Sequence, residues 1–132
     1  MDRRKMIIAS AGVLATGVAA GSVQAAEEGK ETCCEGCSDC RSTCLACVAA
    51  CLDENPIKTA CIRLCLDCAD ICDACSRIEA RRGPMAAVIA KACAEACEKC
   101  AAECEKHADD AACKACAEAC RHCAMECRKI GK

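Results

Sequence analysis

The spacing of the cysteine residues limits what this chain can fold into more than any other feature. The 132 residues include 21 cysteines, and twenty of them follow one another within four segments at steps that alternate between three and four residues. A repeat that averages 3.5 residues places side chains on one stripe of an α-helix, at the a and d positions of a heptad. The four stripes consist of Cys33, Cys37, Cys40, Cys44, Cys47 and Cys51; Cys61, Cys65, Cys68, Cys72 and Cys75; Cys93, Cys97, Cys100 and Cys104; and Cys113, Cys116, Cys120, Cys123 and Cys127.

Three interruptions between the stripes predict where helices begin and end. Asn55 before Pro56 is expected to cap a helix that has proline at its first position. Gly83-Pro84 is expected to end one helix and start the next, and Asp109 or Asp110 to cap the last. The segments between these breaks are rich in Ala, Glu, Lys, Arg and Leu, which favour helix. The predicted helices cover about 33–53, 57–81, 85–107 and 110–130.

The composition indicates that sulfur, rather than hydrocarbon, fills the interior. The chain has no Phe, Trp or Tyr, and residues 26–132 contain only 14 Leu, Ile, Val and Met residues. Four helices with inward stripes predict an all-α fold, an antiparallel up-down four-helix bundle with a Cys-lined core. The alanines beside the last two stripes are expected to allow close helix approach; they are Ala94, Ala96, Ala101, Ala112, Ala117, Ala119 and Ala124.

The second segment also carries an apolar edge beside its cysteines. Leu64, Ile71 and Ile78 recur every seven residues there. Two interpretations remain open: ordinary packing within the bundle, or a subunit contact. The outer residues Leu45, Leu52 and Leu66 would contribute to the second.

The first 25 residues resemble a twin-arginine signal peptide. Arg3-Arg4 precedes an uncharged, mildly apolar stretch at 6–23, and Val23-Gln24-Ala25 is a pattern that signal peptidase cleaves. We therefore expect a signal peptide at 1–25, a Cys-rich metal-storage domain at 26–132, and export to the periplasm or another exported compartment without a membrane segment after cleavage. An uncleaved membrane anchor is the alternative. The net charge of -2 argues against nucleic-acid binding.

The chemistry of stacked thiols points to a soft metal. Thiolates select Cu(I), zinc and iron–sulfur clusters, and a continuous stripe suits ions that need only two or three sulfurs each. Pairs at i and i+4, such as Cys40 and Cys44, can hold one Cu(I) between them. Each Cu(I) also cancels one buried thiolate charge, whereas a divalent ion at the same loading leaves excess positive charge. Zinc in closed four-coordinate sites is the alternative, with fewer ions.

The sequence resembles the copper storage proteins. The resemblance rests on the CxxxCxxCxxxC pattern at 61–72 and 93–104, on its counterpart CxxCxxxCxxC at 37–47, and on the leader, which is similar to those of the exported members. It implies a four-helix bundle that stores multiple Cu(I) ions for copper enzymes, assembly into a homo-tetramer, and a role in copper homeostasis with copper-delivering or copper-receiving protein partners. This chain has more cysteines than expected for the exported members.

The expected metal ligands are the twenty stripe cysteines and His107, which continues the third stripe three residues after Cys104. His107 either binds copper at the mouth of the bundle or is only a helix C-terminal residue. Met85 is a second candidate soft ligand, with packing as its alternative. His122 and Met125 are expected on the outer face, and Cys34 either joins the end of the cluster or stays a free thiol.

Two other functions are possible interpretations of the cysteine spacing: electron transfer through an iron–sulfur cluster, and a disulfide-stapled structural or redox role. Cys34, Cys37, Cys40 and Cys44 match a ferredoxin spacing, but Leu45 stands where proline is expected, and ferredoxin cysteines lie on loops. A disulfide-stapled structural or redox protein fits an oxidising compartment. It conflicts with the odd number of cysteines and with the poor geometry of bridges along one helix. No acid, base or nucleophile set stands apart from the sulfur stripe, so we expect no enzymatic activity.

Overall fold

The fold is an all-α bundle of four helices. The computed structural model describes residues 32–131, with α1 at Cys33–Leu52, α2 at Thr59–Ala80, α3 at Ala86–Glu105 and α4 at Ala111–Ile130. Each helix contacts the helices before and after it, and α4 closes the ring against α1. The predicted four-helix bundle is therefore confirmed. The predicted signal peptide lies outside the described residues.

Two helices begin at side-chain caps. The Thr32 hydroxyl accepts a hydrogen bond from the backbone N–H of Glu35 at 3.1 Å, at the start of α1. Asp110 does the same for the N–H of Ala112 at 2.9 Å, at the start of α4. Both satisfy a backbone N–H that has no partner within the helix. The predicted cap at Asp110 is confirmed.

The predicted cap at Asn55 is wrong. The second helix begins at Thr59, and its capping position is Lys58, which makes no side-chain cap. Pro56 and Ile57 are exposed, so an earlier helical turn would gain no buried contact. The Lys58 ammonium instead pairs with Glu54 of the preceding turn at 2.8 Å and with Asp110 at the start of α4 at 3.3 Å. The contact with Asp110 is tertiary, and tertiary context can override a local preference.

The turn after α2 uses a residue other than the predicted glycine. Arg82 adopts the left-handed conformation, with φ of 50°. The N–H of Arg82 bonds to the carbonyl of Glu79 at 3.0 Å and that of Gly83 to the carbonyl of Ile78 at 2.9 Å. This pair of bonds is the Schellman motif, which normally has glycine at the left-handed position. The helix ends at Ala80, and the left-handed residue lies one position before the glycine that the sequence favoured for the turn.

Small residues set how closely the helices approach. The contact of α1 with α2 and that of α3 with α4 are each more extensive than the contacts between these two pairs of helices. Ala94 and Ala101 of α3 and Ala117 and Ala124 of α4 are buried, as expected for a close contact between these helices. The other three flanking alanines, Ala96, Ala112 and Ala119, are half-buried.

The apolar edge of α2 lies partly inside the bundle. Ile71 packs against the core, and with Leu64 it lines a shallow groove between α2 and α3. Leu45, Leu52 and Leu66 are exposed on the surface. Among residues 32–131, none of the helices has an apolar stretch long enough to span a bilayer.

Candidate metal centre

The twenty stripe cysteines meet along the axis of the bundle. Nineteen of them are at most 1% exposed and Cys33 is 6% exposed, so together they form most of the core. We call these twenty residues the thiol column. The shortest Sγ–Sγ distances between helices are 3.5 Å, for example from Cys40 to Cys120 and from Cys33 to Cys127. All 21 cysteines are free thiols in this structure.

Overlapping groups of four thiols follow one another along the column. In each group the four Sγ atoms lie within 4.8 Å of one another. Five of the groups are Cys33, Cys37, Cys75 and Cys127; Cys37, Cys93, Cys123 and Cys127; Cys40, Cys72, Cys97 and Cys123; Cys40, Cys44, Cys68 and Cys120; and Cys44, Cys100, Cys116 and Cys120. Each of these five groups shares a sulfur with another of the five. A shared sulfur can bridge two neighbouring metal ions. Separate closed sites need no such bridging thiolates.

The pairs at i and i+4 have the spacing that a metal ion requires. Eight pairs have Sγ–Sγ distances of 3.9–4.0 Å. They are Cys33/Cys37, Cys40/Cys44, Cys47/Cys51, Cys61/Cys65, Cys68/Cys72, Cys93/Cys97, Cys116/Cys120 and Cys123/Cys127. Two metal–sulfur bonds of about 2.3 Å span at most about 4.6 Å. One ion therefore fits between two sulfurs with a bent S–metal–S angle or a small widening of the pair.

Burial keeps thiols at one end of the column protonated. It raises the pKa of Cys113 to about 12 and raises the pKa values of Cys47 and Cys51, because a thiolate loses its hydration there. An ion that binds these sulfurs must displace their protons. Metal binding at this end is therefore coupled to proton release.

We name the two ends of the column by a residue that lies at each. The "Cys33 end" consists of Cys33, Cys75 and Cys127, which lie in one four-thiol group with Cys37. The "His107 end" consists of Cys51, Cys61, Cys104 and Cys113, where Cys61 lies 3.6 Å from Cys104 and Cys51 lies 4.0 Å from Cys113.

His107 lies at the end that the stripe predicts for it. It is half-buried, and its Nε2 lies 3.3 Å from Oε2 of Glu103, one turn earlier on the same helix. Its backbone N–H bonds to the carbonyl of Cys104 at 2.9 Å. A carboxylate that accepts a hydrogen bond from one ring nitrogen leaves the other nitrogen with a lone pair. Metal-binding histidines usually have this arrangement.

Charged side chains continue the stripes beyond the His107 end. Lys58 precedes Cys61 by three residues and Glu54 follows Cys51 by three. The Lys58 ammonium pairs with the carboxylates of both Glu54 and Asp110. The sequence interpretation missed this layer. The signal was the heptad spacing itself, which runs past the last cysteine of each stripe.

The other residues that the sequence analysis considered as ligands lie outside the thiol column. Cys34 is half-buried outside the column, and its thiol donates to the carbonyl of Ser76 at 3.2 Å. Met85 and Met125 are both 55% exposed. His122 was expected on the outer face; it is half-buried, and its Nε2 is inaccessible to solvent.

Comparison with known protein families assigns this chain to a family. The sequence model described as copper storage protein matches residues 26–132. The chain belongs to the copper storage protein family. No protein with curated annotation matches the chain significantly.

Solved structures of copper storage proteins are similar to this chain. The Cu(I)-bound copper storage protein BsCsp3 is 40% identical, with a TM-score of 0.72 over 76% of this chain and 95% of that chain. Apo copper storage protein 3 from Bacillus subtilis is 41% identical, with a TM-score of 0.72 over 76% and 96% of the two chains. The cytosolic copper storage protein from Streptomyces lividans, in a structure with five coppers, is 38% identical, with a TM-score of 0.72 over 75% and 88%.

Proposed function

We propose that this protein binds and stores many Cu(I) ions through the thiolates of its core. The observation that carries the proposal is the series of overlapping four-thiol groups within a buried column. Because neighbouring groups share sulfurs such as Cys37, Cys40 and Cys120, a thiolate can bridge two ions, and the number of ions can approach the number of thiols. The family membership and the copper-bound relatives support the same conclusion.

Charge balance favours a monovalent ion. Nineteen of the twenty column thiols are at most 1% exposed, and an unpaired thiolate charge is costly in such a buried setting. One Cu(I) per thiolate leaves the loaded core neutral. One divalent ion per thiolate would leave a large buried positive charge, so zinc would have to bind at a much lower loading.

The proposed ligands are the twenty cysteines of the column together with His107. At the His107 end, Glu103 holds Nε2 and leaves Nδ1 with a lone pair for a terminal ion. Replacing His107 with alanine is expected to remove or weaken one site at that end without affecting the rest. Replacing the exposed His107 neighbour Lys106 with alanine serves as the control, because Lys106 bonds to Glu103 through its ammonium and offers no metal ligand.

The deciding experiment is an anaerobic titration with Cu(I) followed by metal analysis. Thiolate-to-copper charge-transfer absorption in the ultraviolet should rise linearly and saturate near one ion per column cysteine. A parallel titration with zinc should saturate at fewer ions. Saturation with copper at only four or five ions, with zinc preferred, would contradict the proposal.

We also propose that the protein works outside the cytosol, although the relative from Streptomyces lividans is described as cytosolic. The proposal rests on Arg3-Arg4, the apolar stretch and the cleavage pattern at residue 25. Fractionation of cells that produce the full chain tests it, with Arg3→Lys/Arg4→Lys as the altered chain. Retention of the altered chain in the cytosol is expected, and equal export of both chains would contradict use of the twin-arginine route.

A homo-tetramer is the proposed assembly. The exposed side chains of Leu45, Leu52 and Leu66 offer apolar surface for contacts between subunits. Light scattering or native mass spectrometry on the apo and loaded protein measures the assembly directly. A monomer in both states would contradict it.

A further inference from the structure

The thiol contacts between helices join two halves of the bundle. We call residues 33–80, with α1 and α2, the first hairpin and residues 86–130, with α3 and α4, the second hairpin. Hydrogen bonds between thiols of different helices run from the first hairpin to the second, for example from Cys40 to Cys120 at 3.5 Å. Among the described residues, Cys47 to Cys61 at 3.8 Å is the exception. The thiol column is therefore the surface on which the two hairpins meet.

Each hairpin also has contacts of its own that do not involve the column. In the first hairpin, the Cys34 thiol of α1 donates to the carbonyl of Ser76 in α2 at 3.2 Å. In the second, the Arg121 guanidinium of α4 lies 2.8 Å from a carboxylate oxygen of Glu105 in α3, and buried alanines bring the two helices together. The helices of one hairpin also contact each other more extensively than the two hairpins do. None of these contacts breaks when the hairpins move apart as units.

One ion pair joins the two hairpins in the part of the chain that the structure describes. The Lys58 ammonium, just before α2, lies 3.3 Å from a carboxylate oxygen of Asp110 at the start of α4. The described ion pairs between side chains of different helices each lie within one hairpin; they are Arg41 with Asp73, Arg121 with Glu105, and Arg128 with Glu98. Charge therefore holds each hairpin together more than it holds one hairpin to the other.

The seam between α2 and α3 is incompletely filled. A groove of about 360 Å³ lies between these helices, and Cys68 of the column forms part of its lining. Leu64 and Ile71 line the groove from α2, whereas α3 contributes the short side chains of Ala92 and Ala96. Because few atoms face each other across this groove, separation of the hairpins loses little van der Waals contact there.

We propose that the apo protein takes up copper from its side, by separation of the first hairpin from the second, and that bound copper then holds the hairpins together. The inference rests on the proposed storage of Cu(I). Proteins open in cooperative units that often coincide with supersecondary motifs, and the hairpin is such a unit here. Each of the five four-thiol groups named above contains thiols of both hairpins, so an ion in any of them can link the two.

Uptake is a ligand exchange without a redox change. Copper remains Cu(I), and a Cu–S bond forms for every bond to the copper donor that breaks. Each thiol that binds an ion gives its proton to the departing donor ligand or to water. Separation uncovers the thiols of both hairpins along their whole length, so an ion reaches the middle of the column without passing sites that are already filled.

Two substitutions that each remove one ion pair test the route. Asp110→Asn removes the charge opposite Lys58 but keeps a side-chain oxygen that can cap α4. Glu105→Gln removes the pair with Arg121 inside the second hairpin and is the matched control. Cu(I) is supplied as its coloured complex with bicinchoninic acid, and loss of colour is followed by anaerobic stopped flow.

Asp110→Asn should speed copper loading by about two-fold to five-fold, the range that one such ion pair supports. Glu105→Gln should leave the loading rate unchanged, because its ion pair stays intact during separation. Equal loading rates for all three proteins, or equal acceleration by both substitutions, would overturn the proposal.

Thiol labelling shows where the bundle opens. Brief treatment of the apo protein with iodoacetamide, followed by peptide mass spectrometry, should modify Cys68 and Cys97 in the middle of the column as fast as Cys33 at one end and Cys113 at the other. Modification that begins at either end and reaches Cys68 and Cys97 last would overturn side entry.

Amide hydrogen exchange distinguishes separation of hairpins from unfolding of the whole chain. After correction for the intrinsic rate of each reaction, the amides inside α2 and α3 should be more strongly protected than the Cys68 and Cys97 thiols. Equal protection would mean that the thiols react only after global unfolding, which would also overturn the proposal. Failure to bind copper at the end of the loading reaction refutes storage, whereas normal capacity with end-first labelling refutes only the route.

Discussion

Removing one sulfur from the middle of the column tests whether neighbouring ions share ligands. Cys120 is fully buried, and its Sγ lies 3.5 Å from that of Cys40, 3.9 Å from that of Cys44 and 4.0 Å from that of Cys116. It belongs to two of the five four-thiol groups named above. Cys120→Ala is the perturbation, and Ala115→Ser, at an exposed position of the same helix, is its control.

The expected loss of copper follows from charge neutrality. One fewer thiolate leaves one fewer negative charge to balance, and each affected group retains three sulfurs, which are enough for Cu(I). The capacity should therefore fall by about one ion, and the remaining ions should bind as before. If the twenty column thiols instead formed separate closed sites of four, the unaltered protein would bind only about five ions, and the change would disable one whole site.

The apo protein should be only modestly less stable. The alanine leaves a void about the size of one sulfur atom, and a void as large as a methyl group costs about 1 kcal/mol. For a domain of this size, 1 kcal/mol lowers the melting temperature by about 4–8 °C. Loading should restore most of that loss, because ions that bind only the folded state stabilise it by mass action.

Anaerobic Cu(I) titration and thermal unfolding, each with and without copper, measure both quantities. An unchanged copper capacity would mean that the column thiols are not the ligands. A fall of four or more ions would refute the shared-ligand arrangement. An unchanged melting temperature on loading of the unaltered protein would show that copper binds elsewhere.

Three further predictions concern the helix ends. Arg82→Gly should stabilise the protein by about 1 kcal/mol, because glycine adopts the left-handed conformation without strain, whereas Arg82→Ala should not; urea unfolding compares them. Thr32→Ala should cost about 1 kcal/mol through loss of the bond to the Glu35 N–H, and Thr32→Ser should retain it; a stable Thr32→Ala would exclude the cap. The pKa of Asp110 is lowered to about 2 by its side-chain contact with Glu54, by the hydrogen bond from the Ala112 N–H and by the Lys58 ammonium. Its stabilising contribution therefore persists above about pH 4 and disappears as the pH falls towards 2, and Asp110→Ala should flatten that part of the melting-temperature profile of the apo protein.

The sequence by itself determined the helices and the direction of the thiols. The alternation of three and four residues between cysteines predicts one stripe per helix, and the structure places all twenty stripe members in the core. The helix boundaries agree within about two residues. This succeeded because the pattern is periodic and because a chain without aromatic residues has little else to bury.

Only the tertiary structure decided the details at the ends of the helices. At the start of α2, Lys58 pairs with Asp110, which is 52 residues away in the sequence, and local capping preference at Asn55 could not reveal that contact. The left-handed turn at Arg82 likewise departs from the glycine rule. The packing of the four helices side by side decides which sulfurs from different helices share a group. It also decides how far Cys33 is exposed at its end of the column. A spacing within one helix fixes which face turns inward, but the height at which each sulfur meets its neighbours is set only when the helices assemble.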